Sequence, residues 1–299
     1  MMTRFLILML IMPFLAFLTI RLGSKKIDDQ ELFSMLWAKY RTTLVVTGVV
    51  VIPLISGRIP FLVSVLVLSA LSQNEVLRLF CPGILVRVIA LMAGSLTLVA
   101  GFVLGMAGLT TGLVFSTVLL FCCHCFFPGQ GASWSAYPQA VMSLVYPSLF
   151  WGFYILCYGL PKGPEFLLYF YCVTEMNNSF AQLVGSMAGK TKIFPGISPN
   201  KTWEGVLGGA AAAFATGMVF NYVGFKFPIG IAAASTILII LGATAGDLIA
   251  SGIKRNFGVK NFGQVLPNHG GIMDIFDSII FTAPFFYSFI LAACLGTAW

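Results

Sequence analysis

Apolar residues along this chain come in long unbroken runs, separated by short polar stretches. About ten such runs stand out, near 3–22, 42–56, 59–74, 88–106, 108–127, 138–160, 166–188, 205–223, 229–250 and 278–297. Most approach the ~20 residues that carry an α-helix across a hydrocarbon core. Inside lipid the backbone must satisfy its own hydrogen bonds, which only helices and closed barrels do, and barrel strands alternate apolar with polar positions. Continuous runs therefore predict an all-α, polytopic integral membrane protein of about ten transmembrane helices. The second and third runs are short and predict a tilted or re-entrant pair. A natural division is an N-terminal transmembrane region, 1–160, followed by a C-terminal region, 161–299, that carries the polar chemistry.

Composition sharpens the class. Hydrophobic residues make up 59% of the chain and charged residues only 9%, with a mean hydropathy of +0.95. A soluble protein carries roughly a quarter charged residues. The net charge of +7 reads first as cytoplasmic Lys and Arg, and not as nucleic-acid binding. With alternating spans, Arg21, Lys25, Lys26, Lys39, Arg41, Arg78, Arg87, Lys190, Lys192, Lys201, Lys254, Arg255 and Lys260 fall on one side. Only Arg4, Arg58, Lys162 and Lys226 of the 17 bases fall on the other. That bias predicts both termini outside and the basic loops in the cytoplasm, the membrane being the cytoplasmic (inner) one. The first run, ending at Arg21, lacks a signal-peptidase pattern and predicts an uncleaved span. The stretch 24–41 mixes Leu32, Phe33, Leu36 and Trp37 with charges and fits an interfacial helix or a solvated connector equally well. Cys122, Cys123 and Cys125 around His124 lack paired metal-ligand spacing and read as packing.

Polar candidates gather in the C-terminal half. The chain has ten Asp and Glu residues in all. Asp247, Asp274 and Asp277 lie close together in sequence with Lys254, Arg255, Lys260, Asn261 and the turn Asn268-His269-Gly270-Gly271. Asp274 and Asp277, three apart, share one helical face. Glu175 and Asn178 stand one turn apart inside a span, where a buried acid costs enough that function is its default reading. The loop from Lys190 to Glu204 supplies Ser198 and Thr202 as candidate helix caps and Lys201 as a phosphate-seeking cation. Gly101 with Gly105, Gly185 with Gly189, and Gly242 with Gly246 are spaced for close helix contact. Acids converging on a basic cluster suit Mg²⁺, which takes a few carboxylates, waters and phosphate oxygens.

Ser198-Pro199-x-Lys201-Thr202-Trp203-Glu204-Gly205, Ser251-x-x-Lys254-Arg255 and Pro267-x-His269-Gly270-Gly271-x-x-Asp274-x-x-Asp277 together resemble the CDP-diacylglycerol synthases, or phosphatidate cytidylyltransferases. The resemblance covers roughly 165–285. It implies transfer of a cytidylyl group from CTP to phosphatidic acid, releasing pyrophosphate, at a Mg²⁺ site facing the cytoplasm, with a second cation left open. It implies Asp247, Asp274 and Asp277 as metal ligands, and catalytic roles for these three with Lys254 and His269. Ser198, Lys201, Lys254, Arg255, Lys260, Asn178 and Asn261 would contact substrate. Membrane lipids, and a second copy in a homodimer, complete the implied partners. Three positions depart from the pattern: Asn178 and Asn261 stand where the family has Asp, and Ile275 where it has Arg. Other readings remain open: a transferase acting on another lipid phosphate, an inactive paralogue, or a lipid or ion transporter.

Overall fold

Long apolar runs close their backbone hydrogen bonds locally, and the chain duly forms helix after helix. The computed structural model describes residues 2–8, 30–80, 83–126, 136–265 and 270–296. Residues 2–8 are helical (α1), followed by α2 (Gln30–Ser56), α3 (Arg58–Phe80), α4 (Ile84–Phe126) and α5 (Ala136–Ser143). A widened turn, Leu144–Leu149, joins α5 to α6 (Phe150–Tyr158), and α7 (Gly163–Ala188) follows. A hairpin of β1 (Lys192–Phe194) and β2 (Ser198–Thr202) leads into α8 (Trp203–Phe220), a second widened turn (Asn221–Phe225), α9 (Ile229–Asn256) and α10 (Ile272–Gly296).

Six helices among the described residues are long and apolar enough to cross a membrane. The architecture is thus all-α and polytopic. The longest, α4, leaves helical geometry at Gly105 (φ 67°, ψ −144°), a left-handed conformation that glycine adopts without strain. Its two halves fold back on each other. Thr97 and Ser116 share a hydrogen bond of 2.9 Å, and the Cβ missing from Gly112 would lie 2.9 Å from the Thr97 Cα. Gly105 is therefore the bend, while Gly101, whose missing Cβ would lie 3.1 Å from Leu109, is the contact.

The two short runs correspond to helices longer than hydrophobicity alone predicts. In α3 the helix continues through Gln73, Asn74 and Glu75, because the bundle supplies partners for buried polar groups. Gln73 Nε2 donates to Ala90 O at 2.9 Å, and Trp151 Nε1 donates to Ser72 Oγ at 3.1 Å. Of the stretch 24–41, residues from Gln30 onward run straight into α2; the remainder lies outside the described residues.

One apolar core spans both regions of the chain, from Phe5 to Ile290. Its aromatic centre stacks Phe170 on Phe286 at 4.7 Å and Phe166 on Phe225 at 5.0 Å. Tyr171 ties α7 to α2 through Thr47 at 2.8 Å, and Tyr169 meets Ser235 and Thr236, each at 2.9 Å. Outward, Ile52, Ile59, Leu104, Val103 and Leu241 are exposed, the apolar exterior that lipid, and not water, solvates. His124 is buried with Nδ1 2.9 Å from Leu120 O, and the cysteines around it are free thiols, in keeping with packing.

Candidate active site

Two glycines bring the acids together. Gly242 and Gly246 lie where α9 meets α10: a Cβ on Gly246 would stand 2.9 Å from Asp277 O and 3.1 Å from the Ser278 Cα. That approach sets Asp247, the next residue on α9, within electrostatic reach of Asp277. On the other flank, α8 packs against α7 through Gly205, Gly208 and Gly209, which have Ala181 and Val184 as neighbours. The β-hairpin between them delivers Lys201.

Two ion pairs organise the cluster. Lys201 Nζ meets Asp247 Oδ2 at 2.7 Å, and Lys254 Nζ meets Asp274 Oδ1 at 2.7 Å. The second is the drier, with side chains 12% and 5% exposed against 18% and 37% for the first. Lys201 also donates to Thr244 O at 3.4 Å, and Lys254 lies 5.5 Å from the Phe262 ring centre. Lys254 is within electrostatic reach of Asp277 too, so one lysine serves both aspartates of the signature helix.

The two aspartates, however, do different work. Asp274 Oδ2 accepts from Phe262 N at 2.8 Å and from Gly271 N at 2.9 Å. It caps its own helix and fastens the preceding loop, as a carboxylate in the third position of a capping box does. Asp277 is almost fully buried, and its Oδ1 accepts from Ser278 N at 2.6 Å and Ser278 Oγ at 3.2 Å. Asn178 Nδ2 donates to the same Ser278 hydroxyl at 3.1 Å. Asn178 therefore acts as a donor in a relay ending on Asp277, a part that an ionised Asp could not take.

Glu75 completes the site, and nothing in its sequence neighbourhood advertised it. It comes from α3, nearly two hundred residues away in the chain, and caps α10: its carboxylate accepts from Ile272 N at 2.9 Å and Met273 N at 2.8 Å. With Asp274 it satisfies three N–H groups at the start of the signature helix, which otherwise have no helical partner. A Cβ on Gly263 would come within 2.5 Å of Glu75, and one on Gly271 would collide with it, so these glycines admit the carboxylate. The available signal was scarcity: Glu75 is one of ten acids in a chain of 299 residues. Gly270, at φ 84°, has room for no Cβ either, since Asp274 Oδ2 would lie 2.6 Å away.

The remaining expected residues surround this centre. Arg255 reaches outward, Nε donating to Ile197 O at 3.3 Å, and so ties α9 to the hairpin turn. Lys260 and Asn261 are exposed on the loop, with Asn261 beside Gly270. Ser198 opens β2, pairing with Phe194, whereas Thr202 is the true cap of α8, its Oγ1 accepting from Gly205 N at 3.2 Å. Glu204 turns to the backbone N–H groups of Lys190 and Thr191, at 3.1 and 3.2 Å, and holds the loop. Ile275 packs against the core, which explains an apolar residue there. His269 lies outside the described residues. Glu175 makes no hydrogen bond or ion pair among them.

Three carboxylates do not converge as a ready ligand set: among the described residues no group of three or more His, Cys, Asp or Glu side chains could hold a metal ion. Asp247 and Asp277 are within electrostatic reach of each other. Two acids with lysines beside them fit a cation that draws its other ligands from phosphate oxygens and water.

The chain is similar to known enzymes. Phosphatidate cytidylyltransferase of Staphylococcus aureus (strain COL) is 39% identical over 145 residues, 48% of this chain and 55% of that protein. The enzymes of the same name from Staphylococcus saprophyticus and Staphylococcus haemolyticus are 37% and 38% identical over the same lengths. The chain spans about half the length of the curated relatives it matches. The model of the cytidylyltransferase family matches residues 37–293, taking in Glu75 as well as the hairpin and both lysine–aspartate pairs, and the chain belongs to that family.

Proposed function

We propose that this protein transfers the cytidylyl group of CTP to phosphatidic acid, forming CDP-diacylglycerol and pyrophosphate. The observation that carries the reading is the pair of lysine–aspartate contacts, Lys201–Asp247 and Lys254–Asp274, built around the buried Asp277 at the meeting of α9, α10 and the hairpin. A phosphate oxygen of the lipid attacks the α-phosphorus of CTP. The bond from that phosphorus to the oxygen bridging to the β-phosphorus breaks, and pyrophosphate leaves with the bond's electrons.

The residues present suit that displacement. Lys201 and Lys254 are each held by a carboxylate, so they are aimed before substrate arrives, and phosphate oxygens compete for them. Preorganised cations of this kind stabilise charge that develops between two anions as they approach. Asp274 and Glu75 keep the start of α10 and its loop in place. Asp247 and Asp277 would hold Mg²⁺, which supplies charge neutralisation at the phosphates. Arg255 and Lys260, on the rim, would meet the nucleotide, with Asn261 and Ser198 beside them. The diacyl chains remain in the bilayer, since leaving it would cost about 0.8 kcal/mol per CH₂.

The basic face that carries the hairpin and residues 257–265 belongs, on this reading, to the cytoplasm, where CTP is available, and the membrane is the bacterial inner membrane. About ten crossings follow when α2, the two halves of α4, α7 and the first run are added to the remaining apolar helices. The deciding assay supplies purified protein with CTP and phosphatidic acid in mixed micelles, with Mg²⁺ or with EDTA. CDP-diacylglycerol and pyrophosphate in equal amounts, only with Mg²⁺, is the expected result. Turnover that ignores CTP, or is confined to another lipid phosphate, would overturn the reading.

A further inference from the structure

The widened turn between α5 and α6 contains a second polar approach to the acids. Tyr146 there departs from helical geometry, with φ −128° and ψ 106°, and its ring sits edge-on to Phe150 at 5.5 Å. The residue is 7% exposed. Its hydroxyl is buried and has no hydrogen-bond partner among the described residues. The buried tyrosines of α7 differ: Tyr171 is partnered by Thr47, and Tyr169 by Ser235 and Thr236. An unpaired hydroxyl in a membrane-spanning bundle is costly, and such groups default to function. Phe150 in turn stands 6.3 Å from Phe281, the α10 residue one turn beyond Asp277 against which Gly246 packs, so the turn lies beside the α9–α10 contact. The acids within electrostatic reach of the hydroxyl are Asp277 and Asp247.

A buried phenol O–H with no partner among the described residues is a donor waiting for an acceptor. Neither acid accepts from it here: Asp277 Oδ1 accepts from Ser278, and Asp247 Oδ2 takes Lys201. The acceptor that the proposed reaction brings is a phosphate oxygen. We propose that Tyr146 contacts substrate, its hydroxyl donating to a phosphate-ester oxygen seated between the Asp247–Asp277 pair and the lysines. The inference rests on the cytidylyl-transfer reading above, and the oxygen belongs to the lipid phosphate or to the nucleotide.

Tyr146→Phe removes only the hydroxyl. Losing a hydrogen bond to a charged group should lower kcat/KM about 10- to 100-fold. The melting temperature should hold or rise, because an unpaired buried hydroxyl disappears; a structural role would lower it. A KM increase for phosphatidic acid alone assigns the contact to the lipid phosphate. An increase for CTP alone assigns it to the nucleotide, and a fall in kcat alone assigns it to the transition state. Activity within twofold of the parent overturns the proposal. If the parent protein itself turns over no CTP, the cytidylyl-transfer reading fails, and binding decides this one. CTP and phosphatidic-acid vesicles would then be titrated against both proteins. Weaker binding of either by the variant supports the contact, and equal affinities for both overturn it.

Discussion

At the scale of single residues, the two aspartates of the signature helix separate cleanly. Asp274 spends both oxygens inside the protein, on Lys254 and on two backbone N–H groups, and only 5% of its side chain is exposed. Removing one partner of a buried ion pair costs about 3–5 kcal/mol. Asp274→Ala should therefore lose thermal stability together with activity. Asp277→Asn keeps the shape and an oxygen for Ser278 but replaces the second carboxylate oxygen with an amide nitrogen that cannot ligate a cation. It should keep a melting temperature near the parent's and lose activity by about 100-fold or more. Melting curves and turnover, measured on the same detergent preparations, check this; a stable Asp274→Ala variant would contradict the anchoring role. Asn178, where the family has Asp, is a neutral side chain whose amide donates to Ser278, which in turn donates to Asp277.

Among elements, the decisive contact is that of α9 with α10. Gly246 lets α9 approach until a Cβ would lie 2.8 Å from that of Phe281 and 2.9 Å from Asp277 O. Gly246→Ala must push the helices apart and carry Asp247 away from Asp277. Gly252, on the same helix, has nothing within 4 Å of a built Cβ. Gly252→Ala should be neutral, or more stable by about 0.5–1 kcal/mol from helix propensity. The expected outcome is a large loss of activity and stability for the first variant and neither for the second. Equal behaviour of the two would mean that close helix approach does not position the acids. The cap of α10 belongs to this scale as well, since Glu75 on α3 holds the first N–H groups of a helix whose carboxylates face α9.

Across the whole molecule, the hairpin and residues 257–265 share a face, because Arg255 joins the end of α9 to Ile197 in the hairpin turn. Asn200 and Lys260 are both exposed there. With native cysteines replaced, Asn200→Cys and Lys260→Cys should react with an impermeant thiol reagent from the cytoplasmic side alone. Labelling of the two from opposite sides would break the shared face, and labelling of both from outside would reverse the orientation. The membrane class, the positions of most helices and the C-terminal cluster were legible in the sequence. Long apolar runs leave the backbone no alternative to helix in lipid, and acids are too rare in this chain to be incidental. The bend at Gly105, the cap from Glu75, the unpaired hydroxyl of Tyr146 and the pairings of Lys201 with Asp247 and Lys254 with Asp274 were not legible. Each depends on which helices meet and how closely, a property of three-dimensional packing that no local pattern encodes.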